Sequence, residues 1–212
     1  MSGESAARTL VIETATAACS VALIEDGRVV AARHEVVGRG HAERLVPMIA
    51  ELPDGGRAAR ILVDVGPGSF TGVRVGIAAA RGLGLGWDAT VRGFSSLAIV
   101  AAAALKAQPR QRIAAVLEAG HGEVFMQSFA ADLTPLDAPV SLPPLDAAAV
   151  LGETFAIGSG TYRLPDHVTA RADALPDASD LLLLPPALAD LDPRPLYGRA
   201  PDAKLPTKKV VG

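Results

Sequence analysis

"GPGSFTGVRVG", residues 66–76, sets Gly66, Gly68 and Gly72, with a proline, a serine and a threonine, directly before an apolar stretch. Such a loop resembles one that cradles phosphate at a helix N-terminus. The phosphate loop of nucleotide hydrolases needs G-x-x-x-x-G-K-[ST]. Counted from Gly66, the second glycine and the lysine would fall at Thr71 and Gly72, and no lysine occurs before Lys106. That mechanism is excluded. The dinucleotide pattern G-x-G-x-x-G fails at Thr71 as well. A nucleophile elbow, G-x-S-x-G, fails around Ser69, whose flanks are Pro67 and Thr71. What survives is a helix start. Ser69 or Thr71 can cap free backbone N–H groups, and those groups can attract an anion. Capping is the simpler role.

The helix behind the loop runs from Phe70 to about Gly86 and carries Gly72, Gly76, Ala80 and Gly84 at spacings of four. They make one stripe of tiny side chains. Each glycine in a helix costs ~0.8–1.0 kcal/mol relative to alanine, so a close backbone approach is expected to offset them. Arg74 and Arg81 are the only charges on this helix, seven apart and therefore on one face. A helix so apolar is buried on more than one side. The sheet covers one side. The stripe is expected to meet a second partner, from this chain or another.

The chain has 212 residues, 50% of them hydrophobic, enough for one large domain or two lobes. A net charge of −3 and 4% aromatics argue against a protein whose main task is gripping nucleic acid. Cys19 is the single cysteine, so no intrachain disulfide forms. The N-terminal stretch lacks a basic region followed by an apolar block, and the longest apolar run, Leu97 to Leu105, is short of the ~20 residues that span a bilayer. A soluble cytoplasmic protein is expected.

Along the chain, "TLVIE" (9–13), "CSVALI" (19–24) and "RVVAARHEVV" (28–37) read as a three-stranded meander, with Asp26-Gly27 as a hairpin turn. "HAERLVPMIAEL" (41–52) places Leu45, Met48, Ile49 and Leu52 at helical spacing, with Pro47 expected to kink it or delay its start. "RILVDV" (60–65) and "TVRGF" (90–94) are further strands, and Ser95 or Ser96 caps a helix to about Ala107. The order β-β-β-α-β-α-β-α is that of a ribonuclease H-like lobe. "QPRQR" (108–112) marks a boundary. Residues 113–130 form a hairpin around "AGHGE", 144–151 a short helix with Asp146 as its expected N-cap, and "FAIGSG" (155–160) a strand entering a glycine turn. The expected division is a first lobe over 1–107, a smaller one over 108–192 and an irregular tail over 193–212. Three of the four lysines lie in the last nine residues, which reads as a solvated terminus. No internal repeat is visible.

Catalytic constellations are thin. None of His34, His41, His121 and His167 are three or four apart, so no helical metal pair exists. Glu13 ends the first strand, where an actin-like ATPase uses a carboxylate near phosphate, and Asp64 ends the fourth. Both equally suit structural acids.

Taken together, "IETATAACSVAL" (12–23), "GHAERLVPMI" (40–49), "GPGSFTGVRVGIAAARGLGLG" (66–86), "GFSSLA" (93–98), "AGHGEVFMQ" (119–127), "IGSG" (157–160) and "RPLYGRAPDA" (194–203) resemble the TsaB (YeaZ) family. The resemblance implies an α/β fold of the actin/Hsp70-like (ASKHA) type, two ribonuclease H-like lobes with the second reduced. It implies a non-catalytic scaffold or activating subunit in bacterial synthesis of N6-threonylcarbamoyladenosine at position 37 of tRNA. Its partners would be a TsaD-like catalytic subunit and, through that pair, a TsaE-like ATPase, with ATP and metal on those partners, tRNA touched only indirectly, and no membrane. The isolated chain could instead pair with itself. In the family the helices matching 41–52 and 70–86 form the dimer surface, so Leu45, Met48, Ile49, Gly72, Arg74, Gly76, Ala80, Arg81 and Gly84 are the expected interface. Glu13, Gly68, Ser69 and Thr71 are the candidates for a vestigial phosphate or nucleotide contact; no metal ligand is assigned. Three departures stand out: Glu13 where aspartate is usual, the short "PDGGRAAR" connection (53–60), and His121 where arginine often precedes "GEV". The competing reading is an actin-like ATPase or small-molecule kinase, for which "GPGSFTG" and "IGSG" are the only loop candidates. A metalloprotease is disfavoured by the missing histidine pair.

Overall fold

The computed structural model describes residues 8–196. Strands β1 (Arg8–Glu13), β2 (Ala18–Glu25) and β3 (Arg28–Val36) form the meander, and the β2–β3 turn uses positive φ at Asp26 and Gly27. Helix α1 (His41–Ala50), β4 (Arg60–Asp64), α2 (Phe70–Trp87), β5 (Thr90–Phe94) and α3 (Ser96–Ala107) follow. The sheet order is β3-β2-β1-β4-β5, with β1 antiparallel to β2 and parallel to β4, which is parallel to β5. The second sheet holds β6 (Arg112–Glu118), β7 (Val124–Ala130), β8 (Val140–Leu142), β9 (Ala156–Ile157) and β10 (Arg171–Ala172), with α4 (Pro144–Leu151) between β8 and β9. Its order, β10-β9-β6-β7-β8, read from the β8 edge is the same topology: third, second, first, fourth, fifth. The architecture therefore repeats although the sequence shows no repeat. The second lobe is the reduced copy, its fourth and fifth strands being two residues each.

The layers explain the composition. β1, β2 and β4 read as near-continuous apolar runs because both faces of their sheet are covered. On one face Leu10, Ile12, Val21 and Ile61 pack under α1 and α2; on the other Val11, Ala22 and Leu62 pack against α3. That second core also holds Ile113, Ala115, Leu117 and Phe129 of the second sheet. Helix α3 is thus sandwiched between the sheets, so Leu97 to Ala102 are all buried. Its N-cap is Ser95, but the Ser95 hydroxyl makes no capping bond and lies buried without a partner among the described residues.

Several local expectations change. Pro47 lies inside an unbroken α1, which ends at Ala50 rather than at Leu52. Pro47 lies on the exposed side of the helix. Asp146 is in the first turn of α4 and the N-cap is Pro143. Residues 177–192, expected in the second lobe, return to the first sheet. The Ser20 hydroxyl accepts the Ala178 N–H at 3.0 Å, and His34 Nδ1 sits 3.2 Å from Asp177. Leu191 and Gly93 exchange backbone hydrogen bonds of 2.7 and 3.0 Å. The Leu196 N–H then donates to the Val65 carbonyl at 2.7 Å. Tail residues 197–212 lie outside the described residues.

The glycine stripe of α2 faces inward. A Cβ on Gly76 would overlap the Thr14 hydroxyl and stand 3.4 Å from Val63 Cγ2; one on Gly84 would lie 2.6 Å from Val91 Cγ2. The partner that the stripe meets is the chain's own sheet and the link that follows its first strand. Gly82, by contrast, is exposed, and a methyl group added there would meet nothing within 4 Å. Replacing Gly82 by alanine is expected to raise stability by ~0.8–1.0 kcal/mol through helix propensity alone. Gly76→Leu is expected to lower it by at least ~1–3 kcal/mol through overpacking. Urea unfolding of the two variants beside the wild type checks both signs.

Candidate functional site

The link between β1 and β2 is locked by its own side chains. The Ala15 N–H donates to Glu13 Oε1 at 2.7 Å, and the Ala18 N–H to Thr16 Oγ1 at 3.2 Å. Over this link lies the 66–72 loop. The Ser69 N–H donates to the Ala15 carbonyl at 2.6 Å, and the Thr14 hydroxyl to the Gly72 carbonyl at 2.8 Å. A Cβ at Gly68 would overlap the Ala15 carbonyl oxygen, and one at Gly72 the Thr14 carbonyl oxygen. Only glycine permits this approach. The Ser69 hydroxyl accepts the Gly72 N–H at 3.2 Å and so caps α2.

Above the loop is a cleft of about 1010 Å³ between the lobes. Gly68, Ser69 and Thr71 line it, with Ala15, Arg39 and Arg74 on the same side. Glu13 does not reach it: its side chain is fully buried beneath the link. Of the four candidate phosphate contacts, three are brought together and the carboxylate is sealed off from them.

The opposite wall reuses the device. Glu118 ends β6 as Glu13 ends β1, and the loop after β9 lies on the end of β6. A Cβ at Gly160 would stand 2.6 Å from the Leu117 carbonyl carbon, and one at Gly158 would overlap the Val116 carbonyl oxygen. Glu118 is bonded by Arg163, and by the Tyr162 hydroxyl at 2.7 Å. The Arg163 hydrogen bond holds the Glu118 carboxyl below the ordinary range. The sequence reading misses Glu118, Ser159 and Arg163. Its available signal is the parallel between "IE" at 12–13 and "LE" at 117–118, each closing the first strand of a lobe. His121 occupies the exposed β6–β7 turn at positive φ. Among the described residues no group of three His, Cys, Asp or Glu side chains could hold a metal ion.

The expected interface residues divide by face. Leu45, Met48 and Ile49 are buried under α1, and Gly72, Gly76, Ala80 and Gly84 under α2. They hold the helices to the sheet, so these seven face the chain's own interior. Arg74 and Arg81 do point outward. Arg74 lies over the Phe70 ring, 3.5 Å from its centroid, and Arg81 donates to the Pro193 carbonyl at 2.7 Å. Beside them α2 exposes Phe70 at 60% and Leu85 at 89%, and α1 exposes Val46 at 57%. The sequence reading names none of these three, because a pattern of spacing marks faces without saying which one the sheet takes.

The profile describing TsaD, tRNA N6-adenosine threonylcarbamoyltransferase, matches residues 30–140. The Escherichia coli K12 tRNA threonylcarbamoyladenosine biosynthesis protein TsaB is 34% identical over 201 residues, 88% of this chain and 84% of that one. The structure of YeaZ from Pseudomonas aeruginosa superposes with a TM-score of 0.77 at 31% identity, covering 90% of this chain and 99% of that one. A second P. aeruginosa structure, of an uncharacterized protein with similarity to peptidase YeaZ, gives 0.76 at 32% identity over 91% and 100%.

If both glycine loops are shaped by contact with their own strands, a single methyl group in either must displace backbone. Gly72→Ala and Gly160→Ala are each expected to lower the folding stability by ~1–3 kcal/mol. Thermal melts would show it; a melt unchanged by either substitution would mean that the loops move apart freely.

Proposed function

Because the chain belongs to the TsaB (YeaZ) family of tRNA threonylcarbamoyladenosine biosynthesis proteins, we propose that it serves that pathway as a non-catalytic subunit docking a TsaD-like catalytic subunit. The observation that carries this reading is the outer face of α1 and α2. The inner faces of both helices are used up by the sheet, and what remains outward is Val46, Phe70, Arg74, Ala78 and Leu85, an apolar surface with a cationic edge. Large exposed side chains grouped on two neighbouring helices are the usual mark of a protein interface. The seating of the first glycine loop supports the non-catalytic part: Gly68 and Gly72 lie against the Ala15 and Thr14 carbonyls, and the Ser69 and Gly72 amides are taken by the Ala15 carbonyl and the Ser69 hydroxyl. In this reading ATP and metal reside on the partners, a TsaE-like ATPase joins through the pair, and tRNA meets this subunit only indirectly. The same face serves a homodimer when the partner is missing. No helix among the described residues is long and apolar enough to cross a membrane, in keeping with a cytoplasmic assembly.

Two outcomes are expected. The isolated chain turns over ATP far below the ~1 s⁻¹ at the low end of ordinary enzymes, measured by phosphate release with and without its partners. Leu85→Asp melts like the wild type, since Leu85 touches little of its own chain, and binds a TsaD-like partner at least about tenfold more weakly, ~1.4 kcal/mol. Leu145→Asp, on the exposed side of α4 at 70% exposure, is the control and leaves binding unchanged. Equal binding by all three proteins in a titration would rule out the α1–α2 face as the docking surface.

A further inference from the structure

Beneath the cleft the two loops are joined by a pair of acids. Glu13 and Asp64 are both fully buried, at the adjacent ends of β1 and β4. Each uses one oxygen to hold a loop: Glu13 Oε1 accepts the Ala15 N–H at 2.7 Å, and Asp64 Oδ1 accepts the Gly66 N–H at 2.6 Å. The second oxygens, Glu13 Oε2 and Asp64 Oδ2, are buried with no partner among the described groups. Two carboxylates cannot hydrogen-bond to each other, because neither has a donor. With one proton between them, both orphaned oxygens are satisfied at once. The parallel pairing of β1 with β4, in register up to Ile12 and Val63, sets the two acids side by side.

We propose that Glu13 and Asp64 share a proton and act as a proton-held clasp between the β1–β2 link and the 66–72 loop, a clasp that loosens when the proton is lost. Deprotonation releases that proton to solvent and leaves two anions, buried and facing each other, each still bonded to the loop it anchors. Repulsion then parts the loops and with them the start of α2.

The surroundings favour the proton. Burial raises the Glu13 carboxyl well above its usual range, helped by the charges of Asp64 and Asp177. Burial raises Asp64 to about 7, against the Gly66 N–H and the Ser96 donors that pull it down. The other titratable neighbours are Cys19 on β2, whose thiol burial pushes up to about 11, and Asp177 at the start of the return segment, itself beside His34. None of the groups that act on Glu13 is a cation. Both shifts are upward. The stability they give is therefore complete at or below the ordinary carboxylate range near ~4 and is lost as pH rises, the Asp64 part of it through about 7.

The test compares the wild type with Glu13→Gln, in which a carboxamide supplies a permanent N–H donor to Asp64. Urea midpoints are measured from pH 5 to 8. The folding constant of the wild type is expected to fall relative to the variant by about tenfold per pH unit, one proton's worth. Parallel pH curves for the two proteins would overturn the proposal. Wild-type amide exchange, referenced to β7, is expected to quicken in residues 14–16 and 66–72 as pH rises; a pH-independent ratio also contradicts it. Should Glu13→Gln fail to fold, infrared difference spectra of the folded wild type decide. A protonated-carboxyl band at pH 6 that fades by pH 9 supports the clasp, and its absence at pH 6 refutes it.

Discussion

The contact on which the molecule depends is the seating of the 66–72 loop on the end of β1. There Gly68 and Gly72 bring two stretches of backbone closer than any side chain permits. This contact fixes where α2 begins, and the following Gly76 and Gly84 keep the helix flat on the sheet for its whole length. The conformational entropy and helix propensity lost at these glycines are offset by buried area and by hydrogen bonds such as Ser69 to Ala15 at 2.6 Å. With the loop seated, the first lobe's cleft wall and the outward face of α2 are both determined.

The second lobe repeats the arrangement with different residues. Gly158 and Gly160 lie on the end of β6 as Gly68 and Gly72 lie on the link just after β1. In each case a loop at the cleft-facing end of the fourth strand reaches the end of the first. A glycine loop at such a place is open to a phosphate only if its backbone stands clear of the strand, and here neither loop does. Geometry shared with nucleotide-binding loops thus serves packing, and the cleft between the lobes is walled by side chains instead: Arg39 and Ser69 on one side, Glu118 and Ser159 on the other.

Much of this is legible in the sequence. The meander, the Asp26-Gly27 turn, β4, α2 and β5 follow from alternation, turn chemistry and helical spacing, all local properties. The spacing of Gly72, Gly76, Ala80 and Gly84 tells that something approaches closely. It cannot tell what, because a stripe on a helix defines a direction and the identity of the neighbour is set by tertiary packing. That is why seven residues read as an interface are core, while Phe70 and Leu85, apolar residues on an already apolar helix, give no contrast by which to be noticed. The return of residues 177–196 to the first sheet is illegible for a related reason: it depends on single long-range bonds, Leu191 to Gly93 and Leu196 to Val65, with no periodic pattern. The pairing of Glu13 with Asp64 requires the parallel register of β1 and β4, although each residue is recognisable by itself as a strand-end acid.

The central claim is that the inner faces of α1 and α2 are bound to the chain's own sheet and the outer faces are what a partner meets. Hydrogen–deuterium exchange of the chain, alone and saturated with a TsaD-like subunit, tests it most directly. The account predicts added protection confined to residues 42–50 and 70–86, with the 118–125 turn and α4 unchanged. Protection appearing at 118–125 and around Ser159, with α1 and α2 unaffected, would place the partner in the cleft and contradict it.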